Sequence, residues 1–577
     1  MYLGIDLGTT NTVVARSFVD AKDNLITETV QIGQMDDDNW EKYPTLPSMI
    51  YFDDKDIIVG REAKRQRKQD SEHVVTNAKR FMGTIHKWEI DGIEYEAKDI
   101  AAMVLQHCKK TIEREGNMNY DSVVITVPAS FNASQVQDTL LAAKMAGFKD
   151  EQVSIKHEPT AALLSFIDDQ AKKQEHDRVV DFSDTKRLLV FDLGGGTCDT
   201  SIIDVKVENG EMNFTEIAIG RYQELGGIDF DDRLALGLMG KFFKDNNIYD
   251  EDISQRQKDI FYRKLKLAAE SLKEKLSAAI YNKITQDPDA DIDSVEARFN
   301  IPEFYEGKPL KIRINKKEYD EYTKSLYIDK NIRYRKFEDM DKDKNIIGVI
   351  RKTLEDYDIE KSSIDYIFMT GGMSKFPTVK EKLQSYLKCP VLMPENPMEA
   401  VARGASIYQY YKVKVTKHDG PVPKYGKSAE ANCEVKTEIQ QDTTGIVDIM
   451  MLAEAVMLDV NEGLPKVIIP KKTIVPYSGE IKGAFRTASP SGIKLDIMAG
   501  EDEFDSSMRM QKSLEKEFQF PVKSGTPFDI KYTIDQNKAI KMTIVVDDKI
   551  HGLQELELSV YSDMKIVEKD YNLAMEV

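Results

Sequence analysis

Up to about residue 410, apolar positions fall into short unbroken runs such as "VVITV" (123–127), "LLVFDL" (188–193) and "DYIFMT" (365–370). Between them lie stretches whose apolar residues recur every three or four positions, as in "DIAAMVLQHCKKTIERE" (99–115). Unbroken apolar runs predict strands covered on both faces, and the longer period predicts amphipathic helices. Their alternation predicts an α/β domain over 1–411. Residues 412–447 hold charge, proline and glycine with few large apolar side chains, which predicts an exposed insertion or extended linker. Beyond about 453 the period drops to two. In "FDIKYTIDQNKAIKMTIVV" (528–546), Phe528, Ile530, Tyr532 and Ile534 share one face, which predicts a compact all-β domain. The chain is therefore divided as 1–411, 412–452 (insertion and interdomain linker) and 453–577.

With 577 residues, 41% apolar and 31% charged, the chain has the composition of a globular protein large enough for two or three cores. No stretch approaches the 18 or so unbroken apolar residues of a membrane helix. The first strand pattern begins at Tyr2 with no room for a leader before it, so the expected location is cytoplasmic. A formal charge of −19 argues against nucleic acid and anionic membranes as partners. The basic run "AKRQRK" (63–68) is too short to change that. The four cysteines are far apart and form no C-x-x-C pair, so reduced thiols are expected rather than disulfides or structural zinc.

Two loops carry the candidate chemistry. "GIDLGTTNT" near the start and "FDLGGGTCDT" (191–200) share a strand, Asp-Leu-Gly and then threonine, which suggests two related halves facing one cleft. A strand that ends in aspartate and turns through glycine and threonine gathers bare N–H groups and hydroxyls around one point, an arrangement suited to polyphosphate oxygens. Asp6 and Asp192 would hold Mg²⁺ directly or through its waters. A glycine-rich turn after a strand, taken alone, is more often a tight connection than a phosphate site. Cys198 also invites a nucleophile reading, but the nearest histidine is His176, and a packing role fits better. The segment "GPVPKYGKS" (420–428) has five residues between its glycines, one too many for a P-loop, and is set aside. In "LKLAAESLKEKLSA" (265–278 by its first Leu), Leu265, Ala269, Leu272 and Leu276 form a helical stripe, with Glu270, Lys273 and Ser277 on the opposite face. In "DYIFMTGGMSKFP" a strand ends at Gly371 and Gly372, and a helix is expected to start near Pro377.

Together and in this order, "GIDLGTTNTVVA" from Gly4, "NAKRFMG" from Asn77, "VVITVPASFN" from Val123, "HEPTAALL" from His157, "FDLGGGTCDTSIIDV" from Phe191, "LGGIDFDDRL" from Leu225 and "NPMEAVARGAS" from Asn396 resemble the 70-kDa heat-shock chaperone family, DnaK-like. The resemblance implies an actin-like two-lobed ATPase domain followed by a β-sandwich that binds peptide. It implies ATP or ADP with Mg²⁺ as ligand, with K⁺ a further candidate. Gly8, Thr9, Thr10, Asn11, Gly194, Gly195, Gly196 and Thr197 would hold the phosphates, and Asp6, Asp192 and Asp199 the metal ions and their waters. Lys79 would stabilise charge on the transferred phosphoryl group, Glu158 would place the attacking water, and Thr197 and Asp192 would complete the catalytic set. Gly226, Gly227, Glu270, Lys273, Ser277, Gly371, Gly372 and Lys375 would enclose ribose and adenine. Ile493, Ile497 and Phe485 would line the cleft for an extended apolar peptide, and "DIMMLAEAV" (448–456) resembles the linker that docks on the ATPase domain when ATP is bound. Implied partners are unfolded peptide segments, a J-domain-type co-chaperone and a nucleotide-exchange factor.

The chain departs from the family pattern in four places. Val136 replaces an arginine tied to interdomain signalling, Met398 replaces an aspartate beside the nucleotide, and Lys375 replaces an arginine whose planar face stacks on adenine. No long charged helical segment follows the last β pattern, so a lid is not expected. Two other readings stay open: a small-molecule kinase of the actin-like superfamily, and a nucleotide-gated binding protein with little hydrolysis.

Overall fold

The computed structural model describes every residue except 23, 38, 55, 115–119, 209–210, 221–223, 250, 252, 328–343, 415–444, 460–464, 506–508, 551, 560–568 and 576–577. The chain forms two compact units. One comprises Met1–Arg187, Ser201–Arg221 and Glu399–Val577, and the other Leu188–Thr200 and Tyr222–Met398.

In the first unit, strand Tyr2–Leu7 pairs in parallel with Ser122–Val127, which pairs in parallel with Val153–His157. On its other side the sheet continues antiparallel through Asn11–Val19 and Leu25–Thr29. The unbroken runs are covered as predicted: Leu3, Ile5, Val123, Val124 and Ile125 are fully buried. Helix Ala400–Tyr410 packs on this sheet and on helix Glu158–Ala171 at a distance that only glycine permits. A Cβ on Gly404 would lie 1.7 Å from the Ala161 carbonyl oxygen, and one on Gly4 would lie 2.2 Å from that of Ala402. Helix Ala133–Met145 is closed by a capping box, with Asn132 accepting from the Gln135 N–H and Gln135 accepting from the Asn132 N–H.

The two ends of the 412–447 stretch are strands rather than exposed chain. Lys412–Lys414 pairs in parallel with Gly445–Met451, and that strand pairs in parallel with Glu211–Ile219. Ile446 is fully buried, because a parallel strand inside a sheet covers both of its faces. The remainder of the stretch, including the segment 420–428, lies outside the described residues. After it come two four-stranded antiparallel sheets. Their orders are Lys466–Ile469, Ala455–Asp459, Gly492–Gly500, Arg509–Glu517 and Tyr477–Arg486, Pro527–Ile534, Ile540–Asp548, Gly552–Ser559. They share one apolar core containing Phe528, Ile530, Tyr532 and Ile534, the face predicted from the period of two.

In the second unit, strand Lys186–Leu193 pairs in parallel with Tyr366–Thr370, and that strand with Val391–Leu392. Helix Gln255–Gln286 buries Leu265, Ala269, Leu272 and Leu276 as its period requires, and helix Gly227–Asp245 packs beside it. Pro377 is the first residue of helix Pro377–Leu387. No helix among the described residues is long and apolar enough to cross a membrane.

Candidate functional site

In the first unit the three parallel strands end together. Asp6 stands opposite Thr126 near the carboxyl end of its strand, and His157 closes the third strand just before Glu158 opens its helix. Pro159 helps to start that helix, since the N–H it lacks would have no partner there. Carboxyl ends of parallel strands are where α/β sheets hold ligands, because helix N-termini and turn backbone converge there. Lys79 comes from the short helical turn Ala78–Phe81, which follows Asn77 in the left-handed region at φ 58°. Its ammonium lies 2.6 Å from Glu158 Oε1, with both side chains less than a tenth exposed. The Asp6 carboxyl is pushed up to about 7, first by burial and then by Glu158, against the opposing pull of Lys79 and Thr126.

The turn after Asp6 has the shape of a cradle. A Cβ on Gly8 would lie 2.2 Å from the Asn11 carbonyl oxygen, so residues 8–11 close tightly on glycine. Thr9 is buried, and the Thr10 hydroxyl is shielded from solvent with no hydrogen-bond partner among the described residues. A buried hydroxyl without a partner costs roughly 1–3 kcal/mol, and a phosphate oxygen would satisfy it. A carboxyl whose ionisation is opposed by burial and a second carboxylate would be relieved in the same way by a divalent cation. The residues of this turn therefore fit a metal–phosphate group. Among the described residues no three His, Cys, Asp or Glu side chains form a metal cage. Mg²⁺ does not need one, since it is commonly held by one or two carboxylates, water and substrate phosphate.

The second unit carries the matching loop. Gly194 N–H donates to the Thr197 carbonyl at 3.0 Å, closing the turn between strands Lys186–Leu193 and Cys198–Glu208. The Gly226–Gly227 turn docks on it, with Gly227 N–H donating to Gly194 O at 3.0 Å and Ile228 N–H to Gly195 O at 2.8 Å. Gly371, at φ +85°, approaches so closely that a Cβ would lie 2.3 Å from Asp192 Oδ1. Lys273 reaches this cluster from its helix, donating to Gly227 O at 2.9 Å and to Asp231 Oδ2 at 2.6 Å. The fold thus brings Asp192, Gly194, Gly195, Gly196, Gly226, Gly227, Gly371 and Lys273 together. Glu270 and Ser277 sit half-buried one turn either side of Lys273, Gly372 is exposed, and Lys375 is half-buried in the turn Gly372–Lys375. Asp199 is buried and Thr197 half-buried. Cys198 is fully buried with its thiol pushed well up by burial and by Asp199, which fits packing rather than nucleophilic attack.

Asp231 escaped the sequence reading. It is almost fully buried, its Oδ1 has no hydrogen-bond partner among the described residues, and burial pushes its carboxyl up to about 7 although Lys273 opposes this. Its only signal was a carboxylate four positions after Gly227 in a helix that already faced the loop. A second missed group holds the strand Gly445–Met451. Glu216 Oε1 lies 2.6 Å from His157 Nδ1, and its Oε2 accepts the Met451 N–H at 3.1 Å. Lys156 is paired with Asp448, both fully buried, and Lys538 of the β domain donates to the Ala129 and Phe131 carbonyls at 3.2 and 2.8 Å. Charged residues inside the apolar runs "VSIKH" and "IVDIMM" were the available signal.

A family model described as Hsp70 protein matches residues 2–299 and 308–413. The chain belongs to the Hsp70 family. Among its relatives, the chaperone protein DnaK of Mycoplasmopsis agalactiae is 31% identical over 409 residues. That alignment covers 70% of this chain and 58% of the relative, so it spans less than two-thirds of the relative's length. Hsp70 family members are ATPases that bind ATP or ADP with Mg²⁺. The Hsp70 departures have definite surroundings: Val136 is buried in helix Ala133–Met145, where a guanidinium would need a partner. The three residues assigned to a peptide cleft, Phe485, Ile493 and Ile497, are 5%, 6% and 2% exposed and belong to the core shared by the two β sheets. Phe485 stacks on Phe528 with ring centroids 5.8 Å apart.

Proposed function

We propose that the chain is an ATP-dependent, chaperone-like ATPase whose nucleotide state controls peptide binding by the β domain. The buried Lys79–Glu158 pair beside Asp6 carries this reading. Bound ATP with Mg²⁺ would supply the phosphoryl group and most of the charge to be neutralised. Gly8, Thr9, Thr10 and Asn11 offer backbone N–H groups and hydroxyls to phosphate oxygens, and the turn of Gly194, Gly195, Gly196 and Thr197 is built of the same kinds of group. Asp6, Asp192 and Asp199 are the carboxylates available to the metal's waters. Lys79, held in place by Glu158, supplies positive charge where negative charge develops, and Glu158 can orient a water through its carboxylate. Lys273, oriented by Asp231, is the natural contact for the ribose. The strand Gly445–Met451, paired with Glu211–Ile219 and tied to His157 through Glu216, gives the β domain a route to the residue next to Glu158.

The test is phosphate release from ATP by the wild-type chain and by Lys79→Ala, together with peptide anisotropy in ATP and in ADP. We expect inorganic phosphate as product, at least a hundredfold slower release in the variant, and weaker peptide binding in ATP. A phosphorylated metabolite would instead indicate a small-molecule kinase. Equal rates in the two chains would indicate a nucleotide-gated binder, and equal peptide affinities would refute the coupling.

A further inference from the structure

Residues 569–574, "KDYNLA", lie on the nucleotide-binding part of their own unit, on ground that neither the family resemblance nor the proposed ATPase site explains. Three kinds of recognition meet there. Strand Ile57–Val59 receives the segment as a parallel neighbour, with Ile57 N–H donating to Asn572 O at 2.8 Å and Ala574 N–H donating to Ile57 O at 2.9 Å. Gln106, buried in helix Ala97–Arg114, acts as a surrogate strand: its Nε2 donates to Lys569 O at 2.7 Å and its Oε1 accepts the Tyr571 N–H at 3.1 Å. Asp99, held by the Glu96 N–H, takes the Lys569 ammonium at 2.7 Å, and Leu573 is buried.

A side-chain amide that pairs with the backbone of an extended chain reads conformation, whereas Asp99, 2.7 Å from the Lys569 ammonium and 3.5 Å from the Tyr571 hydroxyl, and the burial of Leu573 read side chains at alternate positions. Lys569, Tyr571 and Leu573 have that spacing. The exposed Lys110–Asp570 pair adds little. The β domain is therefore attached to the nucleotide-binding part on both flanks, by the strand Gly445–Met451 before it and by residues 569–574 after it. Two attachments on one domain make release of either an intramolecular equilibrium, with the other keeping the local concentration high.

We propose that Ile57, Gln106 and Asp99 form a docking site for an extended peptide of the pattern Lys-x-Tyr-x-Leu, filled in cis by residues 569–574, and that this occupancy latches the β domain in place. The site needs no nucleotide and stands whether or not the chain hydrolyses ATP. Residue-resolved amide exchange on the full chain without nucleotide tests it. The Lys569, Tyr571 and Ala574 amides should exchange at least tenfold more slowly than that of Asp570, whose N–H has no hydrogen-bond partner among the described residues. Lys569→Glu, at a side chain more than half exposed, should abolish that protection and speed exchange at Met451 at least threefold. A labelled Lys-Asp-Tyr-Asn-Leu-Ala peptide should bind the Lys569→Glu chain saturably, but neither wild type nor a chain carrying Lys569→Glu with Gln106→Ala. Unprotected amides in wild type, or no saturable binding to Lys569→Glu, would overturn the site. Release of the segment with unchanged exchange at Met451 would overturn the latch.

Discussion

Asp231→Asn separates a positioning role from a structural one. Lys273 is held by a carbonyl and by one carboxylate oxygen at 2.6 Å, with its side chain 13% exposed and that of Asp231 5% exposed. A hydrogen bond between charged groups is worth about 1.5–3 kcal/mol. If Asp231 is what aims the ammonium at the nucleotide, losing the charge should weaken ADP binding by roughly 10- to 150-fold. Folding stability should move the other way. The Asp231 carboxyl is pushed from its ordinary 3.8 up to about 7 by burial, so between those values the folded chain keeps a proton that the unfolded chain releases. Its contribution to stability is therefore fully present below about pH 4 and lost as pH rises through about 7. Asparagine never ionises, so at pH 8 the variant should be at least as stable as wild type while binding ADP more weakly. Calorimetric titration with ADP at pH 6 and 8, alongside urea unfolding at both, reads the two effects. The wild-type advantage in affinity should shrink at pH 6, where Asp231 is largely protonated, and the variant should show no such dependence. An ADP Kd at pH 8 within twofold of wild type would refute the argument, as would a variant markedly less stable at that pH.

Three further substitutions have definite outcomes. Thr10→Val removes a shielded hydroxyl that has no partner, so the nucleotide-free chain should gain about 1 kcal/mol or hold steady in thermal unfolding while ATP affinity falls. Gly404→Ala places a methyl 1.7 Å from the Ala161 carbonyl oxygen, so the overpacking cost of about 1–3 kcal/mol should outweigh the gain in helix propensity and lower the Tm by several degrees. Glu216→Ala leaves the Met451 N–H buried and unpaired at a cost of about 1–3 kcal/mol, which should speed its exchange by roughly 5- to 150-fold.

The strands and helices around Asp6 and around Asp192 were legible because each is a local pattern. Apolar runs covered on both faces, a helical stripe at Leu265, Ala269, Leu272 and Leu276, and Asp-Leu-Gly turns all lie within a dozen residues. The Asp6 and Asp192 loops gained meaning from their echo and their ordered companions. Asp231 was not legible, because only the approach of Lys273 from another helix gives a buried carboxylate its purpose. Nor were the strand character of Gly445–Met451 and the seating of residues 569–574, since both depend on neighbours several hundred positions away in sequence. Phe485, Ile493 and Ile497 were assigned to a peptide cleft from the family resemblance alone, and the structure places them in the core shared by the two sheets.

The charges beside Gly445–Met451 solve a problem that its apolar residues create. A run reading Ile446, Val447, Asp448, Ile449, Met450 and Met451 has little alternation to set its register against Glu211–Ile219, and a slip of one residue would turn every side chain to the opposite face. Asp448 against Lys156 and the Met451 N–H against Glu216 allow one register only. Burial holds His157 below its ordinary value and pulls the Lys156 and Lys538 ammonium groups down to about 7 and about 8, while His157 and Lys538 hold Glu216 below its ordinary value against its burial. A buried ionic set of this kind contributes little net stability, yet breaking a buried pair by removing one partner costs about 3–5 kcal/mol. Half-docked states of the strand are thereby penalised more than either fully paired or fully released ones.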